Sequence, residues 1–312
     1  MGSEHTPSTR SRELMLRLSP LSRSNETLSR VTPLLVTALP FDRIDVVADE
    51  KLFGDDGTRA GSVTGAFLDD ELVGVIASAD RFIKLLAVHP DHRRKKIGSE
   101  LLAYLKIDPA LVVRVGDHPG NYLSPGMDVR YEQGIAFFAA HGFIERERVE
   151  NLRVRYAGNA LVTEENAARL GAQAAALGYR VGRPEPAELP GVLAMIEKEF
   201  AVVWAKEAAM AARAVRRALF VAFDRAGQPV AFAAADGNNR GLGWFGPAGT
   251  LPAHRGKKLG EALLLYCLLA VHGLPEAGVI AWVGPKPFYE RAALAGFDRR
   301  FTQMVKNPVN SP

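Results

Sequence analysis

Leu85–Lys106 reads LLAVHPDHRRKKIGSELLAYLK, and Pro247–Leu268 reads PAGTLPAHRGKKLGEALLLYCL. Nine of the 22 aligned positions are identical: Pro90/Pro252, His92/His254, Arg93/Arg255, Lys95/Lys257, Lys96/Lys258, Gly98/Gly260, Leu101/Leu263, Leu102/Leu264 and Tyr104/Tyr266. The constant offset is 162 residues, about half of the 312-residue chain. A period that long is a duplicated domain, because solenoid repeats recur every ~20–50 residues.

The surroundings of each copy agree in order. Before the first lie an apolar strand over Met15–Leu18, a helix from about Glu26 to Leu39 with Ser24 or Asn25 as its cap, and a less regular helix over Phe41–Phe53. Strands at Ser62–Leu68 and Leu72–Ser78 follow, turning through Asp69-Asp70. The second copy repeats this with a strand at Tyr179–Val181, helices at Leu189–Phe200 and Trp204–Arg217, and a hairpin of Phe220–Phe223 with Val230–Ala235. Thr163 caps an Ala-rich helix that ends near Gly178. The reading is therefore a flexible N-terminus over 1–13, one domain over 14–160, a linking helix over 161–178 and a second domain over 179–312.

The repeated segment has an evident chemical use. In each copy an apolar strand, Phe82–Val88 or Trp244–Thr250, runs through a proline into a basic loop that opens a helix. Free N–H groups and the positive end of the helix dipole meet there, so the loop is built for an anion. Gly98 and Gly260 let a phosphate approach the backbone, and the adjacent Arg and Lys add charge. One such run is an ordinary solvated helix start. Recurring at one spacing in two diverged copies, it reads as a pyrophosphate site.

Composition narrows the partners. Lys and Arg number 39 against 35 Asp and Glu, a small excess, and Arg93–Lys96 is the one dense basic run, which argues against nucleic acid. Cys267 is the lone cysteine, so no internal disulfide forms and a cytoplasmic setting is expected. The longest apolar stretch, Ala262–Val271, is too short to span a bilayer, and residues 1–13 do not resemble a signal peptide.

These residues resemble the GNAT superfamily of acetyl-CoA-dependent N-acetyltransferases. Its signature, a strand followed by Arg/Gln-x-x-Gly-x-Gly/Ala and a helix, is similar to Arg93-Arg94-Lys95-Lys96-Ile97-Gly98 and to Arg255-Gly256-Lys257-Lys258-Leu259-Gly260. The first glycine is lysine in both, a change that a helical first turn accepts. A second signature, a late strand, an aromatic pair on a helix and a closing Gly-Phe, is matched by Phe288-Tyr289 with Gly296-Phe297 and by Phe137-Phe138 with Gly142-Phe143. The wider spacing in the second copy predicts a helix about one turn longer. Tandem members such as mycothiol synthase are similar in layout.

The resemblance implies an α/β (α+β) chain of two tandem GNAT-like domains, each a mixed, mostly antiparallel twisted sheet flanked by helices. It implies direct transfer from acetyl-CoA, or another acyl-CoA, to the amine of a small molecule or peptide. Ala248, Gly249, Thr250, Arg255, Gly256, Lys257, Lys258, Leu259, Gly260 and Glu261 would hold the cofactor in the second copy. Leu86, Ala87, Val88, Arg93, Arg94, Lys95, Lys96, Ile97, Gly98 and Ser99 would do so in the first. Tyr289 is the expected general acid, because a phenol can protonate a departing thiolate and the phenyl ring of Phe138 cannot. The first copy is therefore expected to be silent unless Tyr122 or Tyr131 substitutes. Glu199 and Glu207, with Glu197 beside them, are candidates for the base, and no metal site is expected. A non-catalytic acyl-CoA sensor or scaffold is the alternative, with a nucleic-acid-using or aminoacyl-tRNA-using member ranked after it.

Overall fold

A computed structural model describes residues 15–54 and 61–308, so the 1–13 segment lies outside the described residues. The chain opens with β1 (Leu16–Pro20), α1 (Asn25–Ala38), α2 (Ile44–Phe53), β2 (Ser62–Leu68), β3 (Glu71–Ala79) and β4 (Phe82–Val88). It continues through α3 (Ile97–Tyr104), β5 (Val113–Val115), β6 (Met127–Asp128), α4 (Glu132–Ala140) and β7 (Ile144–Arg153). Helix α5 (Glu164–Ala176) leads to β8 (Arg180–Gly182), α6 (Leu189–Glu199), α7 (Val202–Arg213), β9 (Leu219–Phe223), β10 (Pro229–Ala235) and β11 (Phe245–Thr250). The last elements are α8 (Leu259–Val271), β12 (Val279–Ile280), α9 (Lys286–Ala293) and β13 (Gly296–Lys306). One order of elements runs twice, with β6 added in the first pass.

Local chemistry sets the helix ends. Ser24, not Asn25, caps α1 by accepting the Thr27 amide at 3.0 Å, and Thr163 caps α5 through the Asn166 amide at 3.1 Å. Such caps contribute about 1 kcal/mol each. Gly178 ends the α5 turn with φ of 87°, a left-handed value that glycine adopts without strain. Helix α8 is apolar all round because it lies between the sheet and α5; Leu259, Ala262, Leu263, Leu264, Leu265, Cys267, Leu268 and Val271 are all buried. Among the described residues no helix is long and apolar enough to cross a membrane.

The two expected sheets are one. Among the described residues a single sheet runs β1-β2-β3-β4-β5-β13-β7-β12-β11-β10-β9-β8, with β6 paired to β13. The final strand of each copy crosses to the other: β13 pairs with β5, and β7 pairs with β12. The two crossing strands pair with each other along most of their length, from Gly296↔Arg153 to Val305↔Ile144. Helices α1 and α2 cover one face of the first half through Val75, Ala77, Leu85 and Ala87, while α3 and α4 cover the other through Val73, Ile76 and Ile83. In the second half α6 and α7 lie opposite α5, α8 and α9.

Candidate active site

Both fourth strands leave their parallel neighbour part-way along. Strand β4 pairs with β5 only at Phe82↔Arg114 and Ile83↔Val115, and β11 pairs with β12 only at Phe245↔Ile280. Each carries an extra residue just there. Against β3 the register passes from Ser78↔Ile83 to Ala77↔Leu85, which bulges Lys84; against β10 it passes from Ala235↔Phe245 to Ala233↔Ala248, placing the bulge at Gly246-Pro247. A bulge bends its strand, and beyond it β4 and β11 have no paired strand on the side of β5 and β12 among the described residues.

The unpaired side leaves backbone groups available. Leu251 donates its amide to Val230 on β10, and His89 to Val73 on β3. Amides alternate in direction along a strand, so those of Ala248 and Thr250, and of Leu86 and Val88, face the opening. Gly249 and Ala87 face the neighbouring strand instead. Gly249 is glycine for a packing reason: a Cβ there would lie 2.4 Å from Cε1 of Phe200.

The basic loops are alike in detail. Arg94 and Lys96 have φ of 63° and 62°, and Gly256 and Lys258 have 76° and 57°. Lys96 and Lys258 are thus left-handed residues at the helix N-caps and not part of a helical first turn, which explains why the family places glycine there. Neither offers a side-chain cap, so the first-turn amides of Ile97, Gly98 and Ser99, and of Leu259, Gly260 and Glu261, remain for a ligand or water. The alternating left-handed residues give the concave amide arrangement that binds anions. Arg93 and Arg255 brace this loop, their Nε donating to the carbonyls of Val88 (3.2 Å) and Thr250 (3.1 Å). Lys257 bonds the Tyr179 hydroxyl at 2.8 Å, while Arg94, Lys95, Lys96, Gly256 and Lys258 are exposed. Ser99 bonds His141 at 3.0 Å.

The aromatic pairs occupy equivalent places. Phe137 lies 3.2 Å from where a Cβ on Gly98 would sit, and Phe288 lies 3.5 Å from that point on Gly260. The next residue differs between halves. Phe138 is 3% exposed in the core against Phe143, with ring centroids 5.1 Å apart. Tyr289 is half-buried, its ring edge-on to Phe245 at 6.0 Å, where β11 and β12 part. Its hydroxyl has no hydrogen-bond partner among the described residues, and burial pushes its pKa up to about 12. Helix α9 is not the longer of the two helices, with 8 residues against 9 in α4; the extra spacing is taken up by the left-handed Leu294 and by Ala295 before β13.

Residues 55–145 match the acetyltransferase (GNAT) domain model. The chain has the GNAT fold. Its structure is similar to a GCN5-related glucosamine N-acetyltransferase region in a fungal multi-domain GH3 beta-N-acetylglucosaminidase, with TM-score 0.73 and 16% identity over 96% of this chain. The chain spans 39% of that protein's length. A tandem GNAT protein from the clavulanic acid biosynthesis pathway aligns with TM-score 0.62 and 18% identity, covering 96% of this chain and 100% of that one. A GCN5-related N-acetyltransferase from Sphaerobacter thermophilus aligns with TM-score 0.63 and 13% identity, covering 95% and 97%. No curated protein sequence matches the chain, and mycothiol synthase is not singled out.

On this GNAT fold the candidate bases lie apart. Glu199 is exposed and pairs with Lys198 at 3.1 Å; Glu197 is exposed as well. Glu207 is 7% exposed at the junction of the halves, where burial pushes its pKa up to about 7 despite the nearby Lys51 ammonium. A cavity of about 20 Å³, room for a single water, is lined there by Glu207, Lys206, Glu50, Gly120, Asn121 and Arg240, among others. Lys51 is 1% exposed and donates to Glu50 (2.6 Å), Asn121 (3.2 Å) and Asn238 (2.6 Å), joining α2 to the loops of both halves. No sequence signal marked Lys51, since a helix lysine is ordinarily solvated.

The long 116–128 insert packs into the same junction. Asn238 and Asn239 bond the carbonyls of Tyr122 (3.0 Å) and Leu123 (3.1 Å), and the Tyr122 ring meets Trp282 edge-on at 5.7 Å. The Tyr131 hydroxyl donates to Asp42 at 2.7 Å and accepts from the Phe41 amide at 3.1 Å. Burial raises the pKa of both tyrosines.

Proposed function

We propose that the chain transfers an acetyl group from acetyl-CoA to a primary amine of a small molecule or peptide by direct attack. The observation that carries this reading is the opening of β11 away from β12 beside Tyr289, with an uncapped, left-handed basic loop at the far end of β11. These residues fit the cofactor: the amides of Ala248 and Thr250 are turned to the opening, and the first-turn amides of α8 have no side-chain cap. Bound acetyl-CoA supplies an activated thioester.

The residues of the chain then have distinct work. Ala248 and Thr250 orient the pantetheine arm and polarise the carbonyl from the backbone. The loop from Arg255 to Glu261 takes the pyrophosphate. Tyr289, protonated throughout the physiological range, donates its hydroxyl proton to the departing sulfur. Glu207 and Glu199 are the proposed receivers of the amine's proton.

We assign this work to residues 179–312. Residues 14–160 form a second GNAT-like unit that is catalytically silent, because Phe138 has no proton to give, and 161–178 link the two. Thiol release from acetyl-CoA across a panel of amines tests the reading, together with calorimetric titration of acetyl-CoA into the full chain. Absence of acetyl-CoA binding would overturn it.

A further inference from the structure

Strand exchange gives the second half's candidate site a wall from the first. Strand β7 pairs with β12 at Val279↔Arg153 and Ile280↔Leu152, so Asn151 stands where β12 has just ended. Its side chain is 0% exposed. Oδ1 accepts the Trp282 amide at 3.0 Å, at a residue held with φ of 49°; Nδ2 has no partner among the described residues. Next to it, the Glu150 carbonyl accepts the Val283 amide at 3.0 Å, and the Glu150 carboxylate pairs with Lys286 at 3.3 Å.

Lys286 opens α9, and Tyr289 follows one turn later. Among the described residues, the hydrogen bonds of Trp282 to Lys286 are either internal to that turn or made to β7. The helix carrying Tyr289 is thus aimed by a strand of the other half. The arrangement is reciprocal. Met304 pairs with Val115, the last residue of β5, so Gln303 stands on β13 where Asn151 stands on β7. Gln303 is 1% exposed and donates to the Pro125 carbonyl at 3.1 Å, in the segment that follows β5.

We propose that Asn151 is a positioning residue for the Tyr289 site: it fixes the β12-to-α9 turn across the exchanged strands, so the second half depends on the first for the geometry of its acid. This rests on the acetyltransferase reading above. It accounts for a fully buried amide in the middle of a sheet, at a register repeated by Gln303, which packing alone would fill with an apolar residue.

The experiment is steady-state kinetics on the full chain. Asn151→Leu keeps the branched outline, adds some bulk and loses the acceptor; kcat is expected to fall about 100-fold, the scale of an ångström-sized misplacement. KM for acetyl-CoA should stay within about twofold, because the β11–α8 loop is untouched. The isosteric Asn151→Asp keeps an oxygen for the Trp282 amide and is expected to recover most of the lost kcat. A merely structural role would lower the melting temperature without this split or this rescue. If Asn151→Leu fails to fold, the partly exposed Glu150→Gln decides, with an expected loss in kcat of about tenfold. Unchanged kcat in whichever variant folds overturns the proposal. Tyr289→Phe runs alongside: if it keeps full turnover the acetyltransferase assignment of Tyr289 fails, and if it is crippled while Asn151→Leu is not, only the positioning role fails.

Discussion

One oxygen atom, moved between equivalent positions, should have opposite consequences in the two halves. Tyr289→Phe removes a hydroxyl that is half-buried and has no partner among the described residues, so folding loses no hydrogen bond and stability should be unchanged or slightly higher. Turnover should fall about 10²–10⁴-fold, the usual range for a general acid. Phe138→Tyr places the same hydroxyl in a core position that is 3% exposed and packed against Phe143, at a cost of about 1–3 kcal/mol for an unpaired polar group. It should add no activity. Thiol release at saturating acetyl-CoA reads the first effect and urea denaturation the second. A folded Tyr289→Phe protein with kcat within twofold of the parent would refute the assignment of the acid. A Phe138→Tyr protein of undiminished stability would refute the claim that this position is dry core.

Three further outcomes follow from single contacts. The folded-state pKa of Glu207 lies near 7, above the ordinary glutamate value, so its burial is tolerated best in acid; stability should fall by roughly 3 kcal/mol as pH rises from about 4.5 through 7, then level off. Glu207→Gln should flatten that decline in denaturation curves taken from pH 5 to 8, and a decline of the same size in the variant would remove Glu207 as its source. Gly249→Ala drives a methyl group into Phe200 and should cost about 1–3 kcal/mol in urea denaturation; unchanged stability would show that Phe200 yields freely. Deleting Gly296–Lys306 removes the partner of both β5 and β7, and hydrogen exchange should show loss of protection at Val113–Val115 in the first half as well as in the second. Confinement of the loss to the second half would contradict the exchanged-strand sheet.

Reading along the chain reached the parts whose causes are local. The uncapped basic loops, the Thr163 cap, a cap at Ser24 or its neighbour Asn25, and the order of elements all follow from neighbours within a few residues, where periodicity and capping chemistry act, and the repeat is visible by matching one half of the sequence to the other. Pairing Phe138 with Tyr289 also needed no coordinates, because each is the second residue of an aromatic pair that precedes a Gly-Phe in its copy. The lysines at 96 and 258 were a partial failure: their position was evident, but their left-handed backbone was not, since a basic residue before a helix has the same pattern in either conformation.

Tertiary structure alone decided which strands meet. Strands β7 and β13 have alternating residues that suit either neighbour, and nothing within them states whether β5 or β12 completes the edge; that choice is set by pairing between residues some 125 to 190 positions apart. The same long range hides Lys51 and Asn151, and the burial of Glu207. Each looks like an ordinary polar residue on its own element, and each is buried only because the two halves of the chain share one sheet.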